Sequence, residues 1–191
     1  PLKLKWHSLY GQMLLERNLL FAFNKVKNNG GVGGIDNVSI NDFERNLIDN
    51  INNLQAELKA KDYKPSPVRR VYIPKKNGRM RPLGIPIIKD RIFQSIVKNA
   101  LEPQWEARFE PSTYGFRPKR SCEMAVVRSL EIMNDGYDWI VDIDLERFFD
   151  TVHHDRLMNI ISRTVSDGDV ISLIRKFLVS GVMIGGRREE S

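Results

Sequence analysis

The stretch VDIDLERFFD, residues 141–150, sets Asp142, Asp144 and Glu146 at alternate positions with Val141, Ile143 and Leu145 between them, then closes on Phe148, Phe149 and Asp150. In an extended strand this alternation sends the carboxylates to one face and the aliphatic side chains to the other, toward a core. Like charges on one face repel unless water or a cation intervenes, and hard divalent cations take carboxylate oxygens together with substrate phosphates. On these residues alone, a solvated sheet face is at least as good a reading as a metal site. Phe148 and Phe149 are core residues by type, and one that instead walled a pocket would stand beside the metal. Asp142 and Asp150 read as structural, in turn or strand-edge hydrogen bonds.

The second chemistry is cationic. From Lys59 to Arg91 there are eleven Lys or Arg against Asp62 and Asp90, a local excess of nine positive charges in a chain of net charge +6, so the remainder is acidic on balance. Such a block suits a polyanion, because neutralisation of phosphates by Lys and Arg dominates nucleic-acid affinity. A solvated charged face is the bland alternative. Interleaved Val71, Tyr72, Ile73, Leu83 and Ile85 mark the block as folded.

Prolines and alternating apolar and basic residues around Asn77-Gly78 predict a β-hairpin within residues 63–86. A loop of Asn77 and Gly78 alone would pair Lys76 with Arg79 and separate Lys75 from Arg81. A loop of Lys76, Asn77 and Gly78, with the glycine left-handed, pairs Lys75 with Arg79 and leaves Lys75, Arg79 and Arg81 on one face. The second register is expected, since one cationic face can close on phosphate.

YGFRPKRS, residues 114–121, offers Arg117, Lys119 and Arg120 to nucleic-acid phosphate just before a helix; it also reads as a capped turn with Tyr114 and Phe116 packed inward. GGVGGID, residues 30–36, lacks the Gly-Lys-Ser/Thr of a phosphate loop and reads as a flexible connection. His153 and His154 do not make a zinc site in a chain with one cysteine and three histidines. That cysteine, Cys122, excludes an internal disulfide and fits a reducing interior.

The elements that must position these groups are mostly helical at first: an apolar run from Leu9 to Val26 closing at Asn29-Gly30-Gly31, then Ile48, Ile51, Leu54 and Leu58 at helical spacing, with Ser39 and Asp42 at the helix start. Further helices are predicted over Lys89–Trp105, stopping near Pro103, over Ser121–Met133, and twice within residues 154–179. A strand is predicted over Tyr137–Leu145. The mixture is α/β or α+β. No apolar run approaches the roughly 18 residues of a membrane span.

VDIDLERFFDTVHH resembles the first catalytic-aspartate motif of reverse transcriptases, in the form carried by group II intron-encoded proteins. RRVYIPKKNGRMRPLGIPIIKDRIFQ resembles that family's first two fingers blocks, YGFRPKRS its third, and the GGVGGID region its N-terminal extension. The resemblance covers nearly the whole chain, and the ordered combination of IPKKNG, RPLGIP, YGFRP and DLERFFD is specific where each alone would be weak. It implies a right-hand polymerase fold: fingers with an N-terminal extension over residues 1–88, then remaining fingers elements and the start of the palm over residues 89–191. By the same resemblance, Asp144 binds two Mg²⁺ ions, or Mn²⁺, with the backbone carbonyl of Leu145 helping to hold one. Phe149 crowds the sugar 2′ position and favours deoxynucleotides, Lys75 and Arg81 grip the incoming triphosphate, and Leu83 packs near the templating base. Arg69, Arg70, Lys76 and Arg79 are expected to touch nucleic-acid backbone without reading sequence.

The implied protein is an RNA-directed DNA polymerase and splicing maturase whose partners are group II intron RNA, an RNA template with a DNA primer, and deoxynucleoside triphosphates, with no membrane. A homodimer is compatible with that assignment, as is the cytoplasm of a bacterium or an organelle. The family's later glycine-rich block and its two further catalytic aspartates do not occur in this sequence, so the 191-residue piece by itself is expected not to polymerise. The alternatives are a retron-like or diversity-generating polymerase and an RNA-binding maturase scaffold without catalysis.

Overall fold

The computed structural model describes residues 9–76, 78–145, 148–184 and 187–189, with backbone alone for 150, 188 and 189. By packing, the chain forms two compact units, one of residues 1–100 with 150–191 and one of residues 101–149.

In the first unit, the expected Leu9–Val26 helix is two: α1 (Leu9–Met13) and α2 (Glu16–Asn29). Tertiary bonds impose the break. The Tyr10 amide donates to Asp167 at 2.8 Å, the Tyr10 hydroxyl donates to the Leu58 carbonyl at 2.6 Å, and the Leu14 carbonyl freed between the helices accepts from Gln55 at 2.7 Å. Burial, together with Asp169 and Asp167, pushes the Tyr10 phenol up to about 12. Leu19, Ala22, Phe23 and Val26 form the buried stripe of α2, each large member stabilising the fold by about 1.5–3 kcal/mol. The helix ends at Gly30, φ 65°, whose amide donates to Lys27.

Ser39 and Asp42 form a reciprocal capping box at α3 (Ile40–Arg45). Helix α4 (Leu47–Lys59) buries Ile51, Leu54 and Leu58, while Ile48 stays exposed off that stripe. Helix α5 (Ile88–Glu106) does not stop at Pro103 but carries it internally. A proline there removes one amide donor and crowds the carbonyl four residues earlier, which costs about 3 kcal/mol but does not forbid one more turn. The buried rings of Tyr63 and Phe93 meet Phe177, the two phenylalanines stacking at 5.4 Å.

The second unit holds α6 (Cys122–Asn134), which Ser121 caps by accepting from the Met124 amide, with Gly136 at φ 97° beyond its end. Helix α7 (Phe148–Thr151) follows, then α8 (His154–Ser162) and α9 (Gly168–Leu178) return to the first unit. Asp167 caps α9 by accepting from the amides of Asp169 and Val170.

The sheet has the order β2-β1-β3-β4, from β1 (Val68–Pro74), β2 (Met80–Ile85), β3 (Val182–Ile184) and β4 (Arg187–Glu189). Sequence pattern pointed to neither β3 nor β4. Strand β1 pairs antiparallel with β2 and parallel with β3, Val68 against Val182 and Arg69 against Met183.

The strand expected over Tyr137–Leu145 is not formed, and its aliphatic alternates do not pack on a core: Val141 is 82% exposed and Ile143 81%. A strand exists by its ladder, and among the described residues all four strands belong to the first unit, so this segment has no partner within its own.

Candidate active site and nucleic-acid interface

The hairpin adopts the three-residue loop. The Lys75 amide donates to the Arg79 carbonyl at 2.7 Å, the Gly78 amide donates to Lys75 at 3.0 Å, and Gly78 sits at φ 75°. Asn77 lies outside the described residues. Pro74 pairs with Met80 and Ile73 with Arg81, so Lys75 stands opposite Arg79. Side chains alternate across strands. One face therefore carries Arg69, Val71, Ile73 and Lys75 with Arg79, Arg81, Leu83 and Ile85; the other carries Arg70, Tyr72 and Pro74 with Met80 and Pro82. Lys75, Lys76, Arg79, Arg81 and Leu83 are exposed, Arg69 and Arg70 half-buried. Among the described residues no carboxylate pairs with Lys75, Lys76 or Arg81.

The base of this hairpin is anchored by groups that sequence reasoning missed. The hydroxyl of buried Tyr63 donates to buried Asp90, whose other oxygen accepts from the Ser66 amide at 3.0 Å. Burial raises the Asp90 carboxyl, against the two hydrogen bonds and Lys89; burial likewise pushes the Tyr63 phenol upward, with Asp90 adding to it. Lys89 pairs with Glu57 at 2.5 Å. Lys176 donates to the Tyr63 carbonyl at 3.1 Å. The only signal in the letters was an aspartate in the first turn of a helix.

The glycine-rich segment expected to be a flexible connection is instead closely packed. A Cβ on Gly33 would lie 2.6 Å from the Val38 carbonyl oxygen, and one on Gly34 would lie 2.6 Å from the Ile87 amide nitrogen. Arg91 donates to the Val32 carbonyl and, at 3.0 Å, to the Pro86 carbonyl, tying the segment to the end of β2. Burial lowers the Arg91 guanidinium, with Asp36 opposing the shift. Arg69 reaches Asn37 at 3.4 Å, and its Nε is buried with no protein partner among the described residues.

In the second unit Arg117, with 6% of its side chain exposed, pairs with Glu106 at 2.6 Å and donates to the carbonyls of Glu110 at 2.8 Å and Thr113 at 3.0 Å. Those bonds hold the Glu106 carboxyl below the usual carboxylate range. Of the paired readings of this turn, the geometry at Arg117 supports the packing one. Phe116, expected to pack inward, is 101% exposed: its left-handed backbone, φ 56°, turns the ring outward. Lys119 is exposed at φ 58°, and the Arg120 guanidinium lies 5.3 Å from the centre of the Tyr114 ring.

Asp144 is exposed and forms no ion pair among the described residues. Leu145 follows it, then Phe148 and Phe149, whose rings meet edge-on at 5.5 Å with Phe149 85% exposed. Glu146, Arg147 and the side chain of Asp150 lie outside the described residues. An accessible carboxylate beside a backbone carbonyl is a hard, all-oxygen donor set, of the kind a divalent cation shares with substrate phosphates. The described residues contain no group of three or more acidic, His or Cys side chains able to hold a metal. No described helix is long and apolar enough to cross a membrane.

The chain is 41% identical to YkfC of Escherichia coli over 78% of its own length and 40% of that protein's. It is 36% identical to the group II intron-encoded protein LtrA of Lactococcus lactis over 92% of its length and 29% of LtrA, and 35% identical to an uncharacterized 91 kDa protein in the cob intron of Schizosaccharomyces pombe, covering 94% of itself and 22% of that protein. It thus spans well under half the length of these relatives. A solved partial Cas6-RT-Cas1–Cas2 complex contains a chain that matches 95% of this one, using 30% of its own length, with a TM-score of 0.61 at 19% identity, which shows a shared fold. Residues 73–191, holding β2, the YGFRPKRS turn and Asp144, match the family described as reverse transcriptase (RNA-dependent DNA polymerase). With that match spanning more than half of it, the chain belongs to the reverse transcriptase family.

Proposed function

We propose that the chain is the fingers and opening palm of a group II intron-encoded reverse transcriptase and maturase, a protein that binds its intron RNA, assists splicing and copies RNA into DNA. The observation that carries this reading is the hairpin register, which gathers Lys75, Arg79 and Arg81 on one exposed face within a chain of this family. Lys75 and Arg81 hold the triphosphate of the incoming deoxynucleotide, and Leu83, on the same face, packs beside the templating base. Phe149 walls the sugar. Arg69, Arg70, Lys76, Arg79, Lys119 and Arg120 meet backbone phosphate, and Arg117 positions the turn that carries the last two.

Asp144 and the Leu145 carbonyl would hold Mg²⁺, which when bound supplies charge neutralisation at the attacking 3′-oxygen and the departing pyrophosphate. Phosphoryl transfer is mostly positioning and electrostatics, so the protein's part is to present cations and exclude the 2′-hydroxyl. The compartment this reading implies is the bacterial cytoplasm or the interior of an organelle.

The test is RNA binding across a salt series. Replacing Arg69, Arg70, Lys75 and Lys76 together with Ala is expected to weaken binding of a structured RNA and to flatten the dependence of log K on log salt by about one for each phosphate no longer neutralised. An unchanged slope removes the hairpin from the interface. Primer extension by the full-length protein decides against the non-catalytic scaffold: a scaffold would bind RNA normally and extend nothing.

A further inference from the structure

A cavity of about 310 Å³ opens between α2 and α5 in the first unit, and among the described residues no acidic side chain lines it. Three cations do: Lys25 from α2, and Arg91 and Lys98 from α5. Positions 91 and 98 are two helical turns apart, so both side chains lie along one flank of α5. The remaining polar side chains are the amides of Asn29, Gln94 and Asn99 and the hydroxyl of Ser95.

Two of these cations are held by neutral groups. Lys25 donates to the Asn99 side-chain oxygen at 2.8 Å and lies 5.0 Å from the centre of the Phe21 ring. Arg91 is oriented by the Val32 and Pro86 carbonyls. A Cβ on Gly31 would come within 3.2 Å of Arg91 Nη1, and Gly31 itself sits at φ 104°, so the glycine keeps that end of the guanidinium uncrowded. Neutral acceptors orient these two cations without cancelling their charge, and the Asp36 carboxylate that acts on Arg91 does not line the cavity.

The geometry points to a phosphate-binding subsite here, taking one backbone phosphate of RNA with its ribose. The volume is at the small end of ligand pockets, about 300–1,000 Å³, which fits one nucleotide unit. Lys and Arg supply the charge, and Asn and Gln amides can both donate to phosphate oxygens and accept from a 2′-hydroxyl. The subsite would add a second anchoring point for RNA, built from side chains of α2 and α5 and not from those of the hairpin. It rests on the reading of the protein as an RNA binder and deepens it.

The test uses the whole chain with Lys25→Gln and Lys98→Gln combined; both side chains are exposed, and circular dichroism should match the parent. Anisotropy titrations of a labelled structured RNA are expected to show affinity lowered about tenfold and the salt slope reduced by about two. The charge-keeping pair Lys25→Arg with Lys98→Arg should retain most of both. Unchanged affinity and slope in the Gln pair, with the hairpin quadruple variant still impaired, overturns the subsite and leaves the RNA-binding reading standing. No loss in either variant overturns the reading itself. Titration with 5′-adenosine monophosphate separates the phosphate sources: mononucleotide binding abolished by the Gln pair, with RNA affinity untouched, would assign the cavity to a free nucleotide and refute the RNA assignment.

Discussion

At residue 144 a carboxylate stands exposed with no cationic neighbour to neutralise it among the described residues. Removing its charge should therefore cost chemistry and not folding. In the full-length protein, Asp144→Asn is expected to reduce primer extension by about 10³-fold or more, the scale of losing a metal's transition-state charge stabilisation, while RNA affinity stays within about twofold. Concurrent loss of RNA binding would instead mark Asp144 as structural. Phe149→Ala should let ribonucleotides be incorporated, because the exposed ring is the bulk proposed to meet the sugar; the ratio of kcat/KM for deoxy- against ribonucleotide measures it. Residue types at this scale were legible in the sequence, but their partners were not. Arg117, Lys119 and Arg120 look equivalent as letters, yet among the described residues Glu106 and the Glu110 and Thr113 carbonyls accept hydrogen bonds from Arg117 and not from the other two.

Among the elements, the hairpin and the Ser39 helix start were readable because local chemistry dictates them: a left-handed glycine after Asn, and a serine three residues before an aspartate. The strands β3 and β4 were not, being three residues each and defined by pairing with distant β1 or with each other. The segment over residues 137–145 failed the opposite way, having strand pattern without a ladder. Two glycine substitutions separate strain from collision. A Cβ on Gly78 meets nothing within 4 Å, so Gly78→Ala should lower stability only by the left-handed penalty, about 1 kcal/mol. Gly34→Ala collides with the Ile87 backbone and should cost more by the same denaturant titration. The buried Asp90 gives a pH signature. Its folded carboxyl is raised by burial, so its contribution is fullest below the ordinary aspartate range and fades as pH rises through the raised value. The stability difference between wild type and Asp90→Asn should shift against the wild type across that window.

For the molecule as a whole, the two units differ in what their helices bury. The hairpin cations and the α2–α5 cavity belong to the first unit, while in the second α6 buries no residue and Val126, Val127 and Leu130 are exposed. Contiguous apolar surface of that kind binds hydrophobic dyes. The isolated chain is expected to enhance the fluorescence of such a dye, and Val126→Glu with Leu130→Glu should lower it without shifting the unfolding of the first unit. Family membership was legible at this scale because ordered motifs survive in the letters, whereas the uncovered face of α6 was not: its apolar stripe reads like any core helix.

The parallel pairing of Val68 with Val182 also has a temporal meaning. Synthesis proceeds from the amino end, so β1 and β2 leave the ribosome long before β3, with residues 86–181 still to come. Through that interval one edge of β1 has unsatisfied main-chain groups, and the sheet closes only over a long loop, a slow and association-prone step. A nascent chain stalled before Val182 would therefore display the hairpin with an open flank, an edge of the kind that chaperones cover.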